Sequence, residues 1–116
     1  MAYPLYVAFV WHMHQPYYKN TFSGEYTLPW VRLHATKDYL HMAAVLQDFP
    51  IVHQTLNFVP SLVEQIIDYE AGTAVDRCLK LTLKEDLTAQ DKYFMLTFFF
   101  NISWDKVIRN YPRYWQ

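Results

Sequence analysis

Residues 5–11, LYVAFVW, form an unbroken apolar, β-branched and aromatic run, and His12, His14 and Gln15 come directly after it. A run of this length without charge predicts a strand buried on both faces, as in parallel sheets. Pro16 lacks an amide hydrogen and should stop its ladder. A polar and aromatic loop spans residues 17–28, and Pro29 then opens a segment, 31–49, with helical spacing. Tyr39, Met42, Ala43 and Leu46 fall at i, i+3, i+4 and i+7, with Lys37, Asp38, His41 and Gln47 between them. Pro50 ends it. Residues 51–56 predict a second strand with Asn57 at its carboxyl end. Pro60 and Ser61 begin the next helix: Ser61 and Glu64 match an S-x-x-E capping box, Leu62, Ile66 and Tyr69 supply a buried stripe, and Gly72 is the stop.

Strand, helix, strand, helix is the opening of a parallel α/β fold. Beyond Gly72 the pattern changes. Residues 76–83 read as a short helical piece. Thr88 and Asp91 resemble a second cap, ahead of the dense run 93–100. Periodicity alone does not separate helix from strand there, and the cap favours helix. Residues 103–111 predict one more short helix before Pro112. The last residues, Tyr114, Trp115 and Gln116, bring no polar tail, so we expect a cut here rather than an end.

Length limits the architecture. The 116 residues suffice for one small domain with a core, but a complete α/β barrel needs about 200 or more. Disorder is excluded by a hydrophobic share of 53%. Aromatic residues reach 19%, more than so small a core can hide, so some rings should serve a ligand, a partner or a missing part. A formal charge of −1 gives no electrostatic case for nucleic acid or an anionic membrane. Cys78 is the single cysteine and is expected as a packed thiol. With no basic segment before the first apolar run, and no stretch near the ~20 apolar residues of a membrane span, the expected location is cytoplasmic.

Candidate chemistry centres on His12 and His14. In an extended chain, residues two apart share a face, so both imidazoles should project together at a strand's carboxyl end, where α/β folds bind ligands. Three readings stay open: histidines satisfied by backbone carbonyls, a metal-ligand pair, or hydrogen bonding to an uncharged polar substrate such as a sugar, assisted by Gln15 and nearby aromatics. The metal reading wants further ligands. His34, His41 and His53 are available, but His34 and His41 lie two helical turns apart, roughly 10 Å. Glycosidic cleavage needs two facing carboxyl groups. Asp38, Asp48 and Asp68 read as solvated helix faces, Glu64 as a cap and Glu25 as a loop residue, which leaves no persuasive pair. Nucleophile-elbow, P-loop and dinucleotide-binding patterns are absent from the sequence.

Three segments in order carry a resemblance. VAFVWHMHQPYY (7–18) is similar to the first conserved region of glycoside hydrolase family 57, with its His-Gln-Pro hallmark. PWVRLHATKDYL (29–40) and LNFVPSLVEQIIDYEAG (56–72) resemble the next segments of its α-amylase and amylopullulanase-like branch. The likeness is close through Gly72 and looser towards 111–116. It implies an incomplete, TIM-like (β/α) barrel of the seven-stranded type, acting on α-glucans or maltooligosaccharides by a retaining double displacement. The nucleophile Glu and acid/base Asp would sit on later strands. Residues 1–116 would then be the N-terminal portion of the catalytic barrel, without catalytic residues, inactive alone and prone to self-associate through an open edge.

By the same resemblance His14 matches the motif histidine beside the scissile bond, with His12 as companion. Gln15, Trp30, Arg32, His34 and Asn57 are further substrate-binding candidates. No cofactor or catalytic metal is implied. Two alternatives stand beside this expectation: a carbohydrate-binding module closed by dimerisation, and a metal-dependent hydrolase fragment using His12 and His14. Hydrolysis and glucan transfer are not separated.

Overall fold

A computed structural model of the chain describes residues 3–116, and of Tyr114 the backbone alone. The chain divides into two compact units, Met1–Arg77 and Cys78–Gln116. In the first, β1 (Val10–Met13) is followed by a continuous helical stretch of α1 (Trp30–His34), a π-helical turn (Ala35–Tyr39) and α2 (Leu40–Gln47). Then come β2 (Thr55–Phe58) and α3 (Pro60–Glu70). The strands pair in parallel, with Val10, Trp11, His12 and Met13 opposite Thr55, Leu56, Asn57 and Phe58.

The order of elements is the expected one, but both strands lie further along the chain than apolarity suggests. His12 and Asn57 sit inside the ladder rather than beyond it. Residues 5–9 remain exposed, although the Phe9 carbonyl accepts the Thr55 amide at 3.0 Å. A ladder begins where main-chain groups find partners, and apolarity alone does not mark that point.

Burial on both faces is also corrected. Side chains alternate across a strand, so Trp11, Met13, Leu56 and Phe58 share one face while Val10, His12, Thr55 and Asn57 share the other. The helices cover the first face only. Met13, Val31 and Leu62 are buried there, and Tyr39, Met42, Leu56, Val59, Ile66 and Tyr69 pack around them. The opposite face is bare: Val10 is 63% exposed against 5% for Met13. Truncating Leu62, which has no exposed surface, would cost about 2–5 kcal/mol.

Two local features bear on the site. Pro60 occupies the first turn of α3, where its missing N–H costs nothing, and the extended Val59 is the N-cap. The expected Ser61–Glu64 capping box does not form, because both side chains bond elsewhere. Gly72, at φ +71°, ends the helix as read; the amides of Thr73 and Ala74 then return to the Asp68 carbonyl, each at 3.0 Å.

α4 (Arg77–Thr82) begins on the last residue of the first unit. The second unit continues with α5 (Ala89–Phe98), a 3-10 turn (Ile108–Asn110) and α6 (Pro112–Trp115). Thr88 and Asp91 do form a reciprocal cap: the Thr88 hydroxyl accepts the Asp91 amide at 3.2 Å, and the Asp91 carboxylate accepts the Thr88 amide at 3.0 Å. That cap makes the dense aromatic run helical as far as Phe98. The helix expected over 103–111 shrinks to the 3-10 turn, and Cys78 is a buried thiol. Among the described residues no helix is long and apolar enough to cross a membrane.

Candidate functional site

The bare sheet face gathers the first set of polar groups. His12 and Asn57 form one rung of the ladder. His14, two residues on, stacks its ring on that of His12, with centroids 5.9 Å apart and planes inclined by 15°. Both imidazoles are exposed. A neutral imidazole carries one donor and one acceptor, and an amide carries both. The array therefore matches a ligand rich in hydroxyl groups, presented where β1 ends.

The loop after β1 is fixed by α3. Gln65 is fully buried on that helix. Its Oε1 accepts the Tyr18 amide at 2.8 Å, and its Nε2 donates to the Pro16 carbonyl at 2.9 Å and the Ser61 carbonyl at 2.7 Å. Ser61 donates its hydroxyl to the Gln15 carbonyl at 3.1 Å, and the Tyr17 hydroxyl donates to Glu64 at 2.6 Å. The two residues read as a helix cap thus hold the His-Gln-Pro loop instead. Gln65 escaped sequence reasoning, yet it had a signal: it lies three residues after Leu62, within the apolar stripe, where a polar residue needs a buried partner.

Gln15 is tied at both ends of its amide. The Tyr18 hydroxyl donates to its Oε1 at 3.0 Å, and its Nε2 donates to the Tyr39 hydroxyl at 3.2 Å. Tyr39 also meets Phe58 edge-on at 6.3 Å and lies 6.3 Å from the His34 ring. The half-buried Trp30 ring lies 6.5 Å from that of His34. Trp30, His34 and Tyr39 are thereby linked to the carboxyl ends of both strands. Arg32 is not part of this string. Its Nε and Nη2 grip the fully buried Asp76 carboxylate at 2.8 and 3.3 Å, and the Tyr69 hydroxyl joins at 3.2 Å.

Glu64, Asp68 and Asp76 serve the framework. Asp68 accepts Lys19 and the buried Tyr26 hydroxyl, each at 2.7 Å, and these contacts hold its carboxyl below the usual range. Burial, then the bond to Asp68, pushes the Tyr26 phenol up. Glu64 raises Tyr17, chiefly through their hydrogen bond. Asp38 is paired with His34 at 2.5 Å. Among the described residues, no three His, Cys, Asp or Glu side chains converge as a metal site. The second unit has a cavity of about 380 Å³ lined by Ile102, Val107, Tyr111 and Arg113, a set without a proton-transfer pair.

What the first unit builds is a hydrogen-bonding surface on a rigidly anchored loop. No curated protein and no solved structure matches the chain. The family model described as glycosyl hydrolase family 57 does match, over residues 8–114. That span takes in the histidine pair, the anchored loop and both strands, and the chain belongs to glycosyl hydrolase family 57.

Proposed function

We propose that the chain supplies part of the α-glucan site of a retaining, α-amylase or amylopullulanase-like enzyme, and that the catalytic carboxylates lie outside these 116 residues. Family membership makes this a glycosidase sequence with a carbohydrate substrate. The reading is carried by the His12–Asn57 rung with His14 beyond it, a polar hydrogen-bonding array on the uncovered sheet face. In a (β/α) barrel the helices lie outside and the other strand face looks inward, with ligands at the carboxyl ends. Two parallel strands clad by helices on one face fit the start of such a barrel.

In this reading His12, His14 and Asn57 orient sugar hydroxyl groups, and α3 keeps the loop from shifting as the ring enters, since small misplacements are costly to catalysis. The test is calorimetric titration of maltoheptaose into the homogeneous chain and its His14→Ala variant, with a reducing-sugar assay on soluble starch alongside. Loss of one or two hydrogen bonds should weaken binding about tenfold, and no sugar should be released. Release of reducing ends, or equal binding by His14→Ala, would sink the proposal. The bare face, with Val10 and the exposed Val7 and Phe9 preceding it, should also drive self-association, read by sedimentation velocity.

A further inference from the structure

The π-helical turn between α1 and α2 makes a cluster that the histidine pair does not use. Such turns are rare in helices and concentrate at functional sites. Here the wider turn brings both Asp38 and Tyr39 onto His34, with Asp38 Oδ2 2.5 Å from His34 Nδ1 and the Tyr39 ring 6.3 Å away. The Thr36 hydroxyl bonds back to the Arg32 carbonyl at 2.9 Å, occupying that acceptor within the helix. His34 and Asp38 keep 41% and 38% of their side-chain surface exposed, so the imidazole is reachable. The His34 contact first, and the Lys37 ammonium after it, hold the Asp38 carboxyl below its usual range, so it stays an anionic acceptor.

We propose that Asp38 is a positioning residue that fixes His34 as the Nδ1–H tautomer, leaving Nε2 as an acceptor for a sugar hydroxyl beside the Trp30 ring. Which ring nitrogen carries the proton is set by the hydrogen bond that the other makes. A half-buried indole next to one oriented acceptor is the mixture of apolar wall and placed polar group that binding sites use. The cluster reaches the His-Gln-Pro loop through Tyr39 and Gln15. It therefore extends the proposed glucan site by a second contact, and the inference rests on that reading for its ligand.

The experiment is long-range 1H–15N NMR of the imidazoles in the 15N-labelled chain, above the ordinary imidazole titration range, with and without maltoheptaose. Free wild-type chain should show His34 protonated at Nδ1. Asp38→Ala should lose that preference and bind maltoheptaose about 3- to 10-fold more weakly. Asp38→Asn, which keeps a carbonyl acceptor, should retain both. In the wild type, maltoheptaose should shift His34 Nε2 and the Trp30 indole signals.

An Nε2–H tautomer in the free wild-type chain overturns the positioning role, and that readout needs no sugar. If maltoheptaose perturbs His14 but neither His34 nor Trp30, the second contact fails while the His14 reading stands. If it perturbs none of them, both fail. Should Asp38→Ala not fold, the wild-type tautomer and titration still decide.

Discussion

Replacing Gln65 by leucine isolates the anchor beneath the His-Gln-Pro loop. The side chain has no exposed surface, and leucine has nearly its shape, so packing is largely kept. The Ser61 carbonyl retains its helical partner. Two main-chain groups do lose theirs: the Tyr18 amide and the Pro16 carbonyl. An unsatisfied buried group costs about 1–3 kcal/mol. Both groups here are only part-buried, so about 1 kcal/mol each, or about 2 kcal/mol in total, is the fitting estimate.

With a urea dependence of about 1–3 kcal/mol per molar, the unfolding midpoint should fall by about 1 M. The Tyr18 amide, now lacking its acceptor, should exchange about 30-fold faster with solvent. On the proposed glucan reading, maltoheptaose binding should weaken too, although Gln65 itself is fully buried. An unchanged midpoint together with unchanged Tyr18 exchange would refute the anchor.

Arg32→Met should destabilise more than Asp76→Asn in urea unfolding, by about 1 kcal/mol or more. It leaves a carboxylate with no exposed surface without its guanidinium, whereas Arg32 is itself 28% exposed and can meet water; equal losses would contradict this. Asp91 is held at about 2 by the Lys84 ammonium first and then by Thr88. Its folded value is depressed, so its contribution is complete above the ordinary carboxylate value of ~3.9 and is lost as pH falls through about 2. A 13C titration of the Asp91 carboxyl should show that midpoint and its rise in Lys84→Met, and a midpoint insensitive to Lys84 counts against the pairing. Dialysis against zinc should leave no stoichiometric metal, since no third ligand joins His12 and His14 among the described residues; one zinc per chain, removed by His14→Ala, would reverse that.

The element order and the family were legible in the sequence, and the reasons are local. Apolar runs bounded by prolines announced two strands but not their limits, and the Thr88–Asp91 cap favoured helix for a run whose periodicity was ambiguous. What escaped depended on distance along the chain. Ser61 and Glu64 have the spacing of a cap, but their partners, Gln15 and Tyr17, lie 46 and 47 residues away. Asp76 finds Arg32 across 44 residues, and nothing near either announces the other. The ladder includes His12 and Asn57 because pairing register obeys the main chain, while sequence reading placed both at strand ends by their polarity. The histidine pair was foreseen as sharing a face, because alternation in an extended chain is a local rule.

The anchoring bonds from Ser61 and Gln65 end on main-chain atoms of Gln15, Pro16 and Tyr18. Main-chain atoms are the same whatever side chain they carry. The grip of Ser61 and Gln65 is therefore indifferent to which residues decorate the loop, Pro16 excepted for its fixed φ, whereas the Glu64 contact depends on the Tyr17 hydroxyl. The exposed His14 side chain takes no part in these bonds and can be exchanged without loosening the scaffold, so on the proposed glucan reading substrate preference can drift while the fold stays put. For an engineer, the loop is a socket: residue 14 can be randomised as long as Ser61 and Gln65 are left alone, together with Tyr17 and Tyr18, whose hydroxyls bond Glu64 and Gln15.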